Sequence, residues 1–154
     1  MRILIDGYSL LHHWTELAPE QPRHSASARD ALLHRLQEYR DATHTPITVF
    51  FDGQGAPPGT PRAATNPDLE VLFSPAGRTA DDLIERVAYR LHPYGDVLVV
   101  TDDRAERDTV AGFGGLVSSC RNFVQQVEDV LNSSSEDLRQ YNRQERERYR
   151  RAGR

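Results

Sequence analysis

The sequence predicts an α/β protein, a three-layer, doubly wound sandwich around a mainly parallel sheet of four to five strands. Two observations lead to this fold class. Short apolar runs rich in Val, Ile, Leu and Phe recur along the chain beside breaking residues, which is typical of strands buried on both faces of a parallel sheet. Longer amphipathic segments separate these runs. Strands that alternate with helices build a parallel sheet with helices on both faces.

Five apolar runs are the candidate strands, and each is short enough to span one layer of a small domain. The first four are the stronger signals, and the fifth begins with Gly115, directly after a helical segment that ends in glycines. The runs are residues 2–5, 47–51, 69–73, 97–101 and 115–119.

Four segments with helical spacing of apolar residues lie after the first, third, fourth and fifth strands. In the first of them Ser25 or Ser27 can cap the start, and in the second Thr79 is the N-cap while Pro93 and Gly95 end the helix. The segments are 28–42, 79–95, 104–114 and 121–131.

Two segments differ in composition from the rest. Residues 53–67 hold four prolines and three glycines, which predicts an irregular loop of a length that is often functional. Residues 136–154 are helix-prone, and their seven arginines against four acids give +3, so that residues 1–135 carry −7 of the total charge of −4. We therefore predict one domain over 1–135 and a basic helical tail over 136–154.

Several classes of protein are excluded by what the sequence lacks. It has no apolar stretch approaching the roughly 18 residues of a membrane helix and no basic start followed by an apolar run, so we expect a soluble, cytoplasmic protein without a membrane partner. Its single cysteine, Cys120, cannot form an internal disulfide and has no zinc-ligand spacing around it. Dinucleotide and Walker fingerprints are also missing, which argues against a nucleotide cofactor.

Carboxylates gather where the predicted strands end. Because the carboxyl ends of parallel strands meet at one edge of a sheet, we expect these side chains to lie near one another. Each has an ordinary explanation as a turn residue, an N-cap or a partner of a helix dipole. The residues are Asp6, Asp52, Asp81, Asp82, Glu85, Asp102 and Asp103.

A divalent cation explains the convergence better than these separate roles do. Several carboxylates at one edge repel one another unless positive charge lies among them, and the sequence contains no lysine at all. Oxygen ligands suit Mg²⁺ or Mn²⁺ better than zinc. Such ions polarise phosphates and activate water, so the pattern indicates metal-assisted hydrolysis of a nucleic-acid backbone.

Four motifs follow one another along the chain: LIDGYSLLH at 4–12, VFFDG at 49–53, VLFSPAGRTADDLIE at 71–85 and VVTDDRAERDTVAGFG at 99–114. In this order they resemble the YacP-type NYN domain family of PIN-like ribonucleases. The resemblance covers most of residues 2–131 and implies a PIN-like, Rossmann-like fold. It also implies cleavage of RNA, in part on translating ribosomes, with Mg²⁺ or Mn²⁺ held by acids at the sheet edge.

Carried over residue by residue, the resemblance implies catalytic roles for three aspartates. Asp6 matches the family's first aspartate, Asp81 that of its Ala-Asp motif and Asp103 that of its Thr-Ser-Asp motif. The chain departs from the family in two places. Ser9 stands where the family has asparagine, which removes an amide donor, and Asp102 stands where it has serine, which adds a charge.

These observations predict a divalent-metal-dependent endoribonuclease acting on RNA, including mRNA on ribosomes. Asp6, Asp81 and Asp103 would hold the ion, and the other four acids would bind a second ion or order water. The sequence does not indicate an oligomeric state. Two alternatives stay open: a catalytically weak RNA- or ribosome-binding module, favoured by Ser9, and a metal-dependent phosphatase of small substrates, which would not need the basic tail. The expected substrate-binding residues are Ser9, Arg78, Arg104, Arg143 and Arg146.

Overall fold

A computed structural model describes residues 1–53, 63–64 and 69–152. These residues contain six strands and five α-helices. For residues 63–64, and for 134–136, 138, 142 and 152 within the last helix, the description covers the backbone only. The strands are β1 (Arg2–Asp6), β2 (Ile47–Phe51), β3 (Ala63–Ala64), β4 (Leu69–Phe73), β5 (Val97–Val100) and β6 (Leu116–Ser118). The helices are α1 (Gly7–His13), α2 (Ala26–Thr43), α3 (Ala80–Leu91), α4 (Arg104–Gly112) and α5 (Cys120–Ala152).

The strands form one sheet in the order β3-β4-β2-β1-β5-β6. Each pairing among β4, β2, β1, β5 and β6 is parallel, and the register sets Ile5 of β1 beside Val49 of β2 and Val100 of β5. The predicted parallel sheet is therefore confirmed. Strand β3 is an addition: it pairs antiparallel with β4 inside the segment that we expected to be irregular, and that expectation is wrong for residues 63–64. Residues 54–62 and 65–67 of the segment lie outside the described residues.

Helices cover both faces of the sheet, which confirms the three-layer, doubly wound arrangement. One face packs against α1, α2 and α5, where Leu11, Leu36 and Phe123 are sealed from solvent. The other face packs against α3 and α4 through a second cluster that includes Leu4 and Ile84. Within the described chain, no helix combines the length and apolar character that a membrane crossing requires.

The predicted helix starts agree with the caps in the structure. Ser25 is the N-cap of α2 and accepts a hydrogen bond from the backbone N–H of Ala28, which decides between the two serines considered. Thr79 caps α3 in the same way through the N–H of Asp82, and a 3₁₀ turn, His92–Tyr94, follows that helix. Side-chain acceptors satisfy N–H groups that the first turn of a helix leaves unpaired.

Helix α5 runs without a break from Cys120 to Ala152, so it joins two segments that the sequence predicted separately. The intervening asparagine and serines are weaker helix formers than alanine or leucine, but none of them stops a helix as proline does. The buried side chains end at Val127, and beyond it the described side chains are partly or fully exposed. The division into units at 135 and 136 stays a prediction.

Gly7 packs against an aromatic ring and does not adopt a left-handed turn. Its φ is not among the positive φ values of the described chain, so no left-handed conformation requires glycine at the junction of β1 and α1. A Cβ at this position would lie 2.3 Å from Cε1 of Phe51, a ring that is itself sealed from solvent. Glycine is required because α1 begins in contact with that ring.

Candidate active site

Three carboxylates from three elements converge at the carboxyl edge of the sheet. Asp6 is the last residue of β1, Asp81 lies in the first turn of α3, and Glu106 lies in the first turn of α4. One carboxylate oxygen from each lies within 4.8 Å of the others. The helices that follow β1 and its neighbour β5 cover opposite faces of the sheet, and such a switch point is the usual ligand site of this architecture.

Asp6 is held by the first turn of α1, which it caps. Its Oδ1 accepts a hydrogen bond from the backbone N–H of Ser9 at 3.3 Å, and its Oδ2 accepts one from the Ser9 hydroxyl at 2.9 Å. Burial raises the pKa of Asp6 to about 6; the bonds from Ser9 lower it, and the neighbouring Asp81 raises it. Ser9 thus orients the aspartate, whose pKa lies closer to neutral pH than that of an exposed aspartate.

Glu106 is the residue of this cluster that the sequence analysis missed. Its side chain is 1% exposed, and Oε2 accepts a hydrogen bond from the hydroxyl of the buried Thr101 at 3.0 Å. Oε1 is sealed from solvent and has no hydrogen-bond partner among the described residues. Burial, followed by the charge of Asp81, raises the pKa of Glu106 to about 9. A signal existed, since Glu106 and Val110 share the buried stripe of α4, where a carboxylate is out of place.

The donor set and the unpartnered oxygen together fit a divalent cation. Buried polar atoms are nearly always hydrogen-bonded, and the Asp81 carboxylate beside Glu106 supplies no donor while both acids are ionised, so either a shared proton or a cation must lie between them. Three carboxylate oxygens at short range are also the ligands that Mg²⁺ and Mn²⁺ prefer. Asp6, Asp81 and Glu106 are therefore the residues that could hold such an ion.

Asp103, which we expected to be a ligand, caps α4. Its Oδ1 accepts a hydrogen bond from the backbone N–H of Glu106 at 3.1 Å, and its own N–H donates to the Thr101 hydroxyl at 3.2 Å. Its exposed carboxylate does not belong to the three-carboxylate cluster, although it borders it. Through these bonds Asp103 fixes the turn of the chain that presents Glu106.

Asp102 ties the end of β5 to two helices. One of its oxygens accepts a hydrogen bond from the backbone N–H of Cys120 at 2.9 Å, at the start of α5, and the other contacts Nε2 of His13 on α1. The structure thus gives this additional aspartate contacts that fasten helices to the sheet edge. A role in binding metal stays a prediction.

The remaining acids lie around the cluster. Asp82 is exposed in the first turn of α3, and Asp52 is half-buried directly after β2. Glu85, one turn further along α3, has a raised pKa because of partial burial first and then the negative charges of Asp82, Asp81 and Asp103. The structure therefore brings Glu85 within electrostatic reach of the predicted acidic edge.

The predicted substrate-binding arginines are exposed and lie in two regions. Arg78 precedes the cap of α3, and Arg104 is the first residue of α4, so both border the carboxylate edge. Arg143 and Arg146 lie far along α5, beyond its buried part. No contact in the structure assigns a ligand to any of them.

Comparisons with known proteins agree with one another. The family model of the YacP-like NYN domain matches residues 3–152. Over 129 residues the chain is 31% identical to the uncharacterized protein YacP of Bacillus subtilis strain 168, covering 83% of this chain and 75% of that protein. The crystal structure of Rae1 (YacP) from Bacillus subtilis superimposes with a TM-score of 0.76 at 29% identity, covering 91% of this chain and 80% of that one. A mutant of the same protein gives 0.77 at 28% identity, covering 92% and 83%.

Proposed function

The chain belongs to the YacP-like NYN domain family, whose domains are PIN-like and of nuclease type, and from that premise we propose that it is a Mg²⁺- or Mn²⁺-dependent endoribonuclease. It would hydrolyse phosphodiester bonds within RNA. One observation carries the proposal: carboxylates from β1, α3 and α4 converge at the switch point of the sheet, and no donor or cation among the described residues separates them.

In this proposal the cluster residues hold the ion and their neighbours orient them. A bound Mg²⁺ or Mn²⁺ would polarise the scissile phosphate and make a water molecule more acidic. Ser9 orients Asp6, and Thr101 holds one oxygen of Glu106 while the side chain lies against the carboxylate of Asp81. No histidine or lysine is assigned as a base.

The outer acids surround the cluster, and Asp103, which the sequence analysis placed among the ligands of the first ion, now joins them. Asp103, exposed at the start of α4, and Glu85 border the cluster closely enough to order water or to take part in a second ion site. Asp52, Asp82 and Asp102 contribute negative charge to the same edge. Two ions about 3.5–4 Å apart can stabilise both the attacking and the leaving oxygen of a phosphodiester.

We propose RNA, and in particular mRNA on the ribosome, as the substrate. Arg78 and Arg104 flank the acidic edge, while Arg143 and Arg146 extend positive charge along α5. Arginines bind phosphates without regard to sequence, and this contribution to affinity falls as salt rises. The basic helix favours a polyanion over the small substrates of a phosphatase.

The second candidate function is an RNA- or ribosome-binding module that cleaves little. Ser9 favours this function. Its only side-chain donor, the hydroxyl, is used on Asp6 at 2.9 Å, and serine lacks the amide N–H groups with which asparagine could position a substrate. The two candidates share the fold, the cluster and the arginines, so they differ only in turnover.

A cleavage assay decides between them. Mixed RNAs would be incubated with Mn²⁺ or Mg²⁺ and with the native chain, Asp6→Asn or Asp81→Asn, and each protein's affinity for RNA would be measured in parallel. Loss of a metal ligand should lower the cleavage rate more than about 100-fold, because substitutions of residues that only support a ligand already cost up to about that factor. Binding of RNA should persist in both variants. Asp108→Asn, an exposed aspartate on α4, is the matched control. Binding without cleavage by the native chain, or full activity of both variants, would reject the nuclease proposal.

A further inference from the structure

Arg29 is a buried arginine at the carboxyl edge whose charge the proposed site does not use. Its side chain is 6% exposed, near the start of α2. Nη1 donates to the Tyr8 hydroxyl at 3.3 Å and to the His24 carbonyl at 2.7 Å. The guanidinium carbon lies 5.7 Å from the centre of the Phe73 ring. All of these contacts are with neutral groups.

No carboxylate among the described residues forms an ion pair with Arg29. Arginine stays protonated in proteins, and a buried charge without an opposite charge is unfavourable. Within the described chain both of its hydrogen bonds leave from Nη1. Nε and Nη2 make no hydrogen bond within the described chain, and neither is completely sealed from solvent. These two nitrogens are therefore the donors that remain for a ligand.

The surroundings of Arg29 connect it to the proposed site. Tyr8 lies two residues after Asp6, and its ring packs 4.9 Å from that of Phe51, which in turn abuts Gly7. Phe73 ends β4, two strands from β1, a lateral distance of about 10 Å. Arg29 thus lies at the same sheet edge as the carboxylates but over the face that α1 and α2 cover.

The edge around Arg29 also presents aromatic groups to solvent. The exposed imidazole of His24 packs on Tyr8 with ring centres 4.2 Å apart, and half-buried Phe73 stacks on Phe51 at 5.4 Å. A cation among accessible aromatic rings is the usual composition of a surface that binds single-stranded nucleic acid.

We propose that Arg29 binds a backbone phosphate of the RNA strand next to the phosphodiester held at the carboxylate cluster. The proposal rests on the RNA substrate proposed above and adds a residue that positions it. The phosphate supplies the negative charge that the described surroundings of the guanidinium lack. Arg29 would keep the strand in register across the sheet edge, while the carboxylates act on the neighbouring bond.

The test measures binding without cleavage. A fluorescent, unstructured single-stranded RNA oligonucleotide would be titrated in EDTA at several salt concentrations with the native chain, Arg29→Gln and Arg29→Lys. One lost phosphate contact on a single strand should lower the slope of log affinity against log salt by about 0.7. We expect that decrease for Arg29→Gln and a native slope for Arg29→Lys, which keeps the charge.

Thermal unfolding shows whether Arg29→Gln still folds, since the substitution also removes the hydrogen bonds to Tyr8 and His24. A purely structural role for Arg29 would lower the melting temperature and leave the salt slope of RNA binding native, whereas the proposed role lowers that slope in the folded variant. Arg35→Gln is the matched control, because Arg35 lies on the same helix in an ion pair with Glu38 and should keep the native slope. If Arg29→Gln does not fold, a shift of the Arg29 Nε–H resonance of the native chain on adding RNA takes its place.

Two kinds of failure are distinguishable. A native slope for Arg29→Gln, or an Arg29 resonance that does not move, overturns the role of Arg29 and leaves the nuclease proposal intact. A native chain that fails to bind the oligonucleotide overturns the RNA substrate itself, and with it the role of Arg29. Full cleavage by Asp81→Asn rejects the metal cluster without affecting the measured slope.

Discussion

Replacing Glu106 with glutamine should stabilise the metal-free chain at neutral pH. The pKa of Glu106 is about 9 in the folded chain against a reference of 4.5, so between these values the folded chain keeps a proton that the unfolded chain has released. Stability from this group is therefore fully present below about pH 4.5 and is lost as the pH rises toward 9.

The size of the effect follows from the same two pKa values. A pH of about 7 lies roughly 2.5 units above the pKa of Glu106 in the unfolded chain. At about 1.36 kcal/mol per unit, the native chain is therefore about 3 kcal/mol less stable at this pH than it is below about pH 4.5. Glutamine resembles the protonated acid, and its carbonyl can still accept the hydrogen bond from Thr101. Glu106→Gln should therefore be about 3 kcal/mol more stable than the native chain at neutral pH.

Urea unfolding in EDTA, repeated from about pH 5 to about pH 8, measures this difference. Asp108→Asn on the same helix is the control, and it should follow the native curve because its side chain is exposed. Added Mn²⁺ should stabilise the native chain by about 2.7 kcal/mol at a hundredfold excess over its dissociation constant, and Glu106→Gln by less. A native chain whose stability does not fall over this pH range, together with a variant that gains nothing, would refute a protonated Glu106.

Three further predictions concern the surroundings of the cluster. Gly7→Ala should lower the free energy of unfolding by roughly 1–3 kcal/mol, measured by urea titration, because the new methyl group overlaps a sealed phenyl ring. Ser9→Ala removes a donor that lowers the pKa of Asp6, so calorimetry should show that Mn²⁺ affinity falls more near pH 6 than at about pH 8. Changing Arg143 and Arg146 together to glutamine should lower the salt slope of RNA binding by about 1.4, two phosphate contacts.

Each of these expectations has an opposite outcome. Native stability of Gly7→Ala would mean that Phe51 moves aside freely. Equal loss of Mn²⁺ affinity by Ser9→Ala at both pH values would mean that Ser9 does not tune the titration of Asp6. An unchanged salt slope after both arginine substitutions would leave the end of α5 as a solvated helix without a role in RNA binding.

The parts of the fold set by burial and capping could be predicted from the sequence. Strands β1, β2 and β5 are sealed on both faces, so their apolar runs were clear, and Ser25 and Thr79 mark helix starts by local chemistry. Strand β3 could not be predicted, because two alanines among prolines and glycines carry no strand pattern and depend on pairing with β4. The continuity of α5 could not be predicted either, because residues 132–135, an asparagine and three serines, signal neither a helix nor a strong break in one.

The site was predicted in part for a related reason. Asp6 ends β1, and Asp81 lies in the first turn of the helix after β4, so the rule that the carboxyl edge carries ligands found them. Glu106 also lies in the first turn of a helix, but on its buried stripe, and the packing of α3 beside α4 brings it to the other two. The resemblance ranked Asp103 above Asp102, but the sequence could not show that Asp102 contacts the start of α5 and that Asp103 caps α4.

Crystals soaked in Mn²⁺ test the central claim most directly. Anomalous scattering locates the ion independently of any assay of cleavage. The account predicts a peak among the carboxylate oxygens of Asp6, Asp81 and Glu106, and its loss in Asp81→Asn crystals. A well-ordered cluster with no peak, or a peak bound by other residues alone, would contradict it.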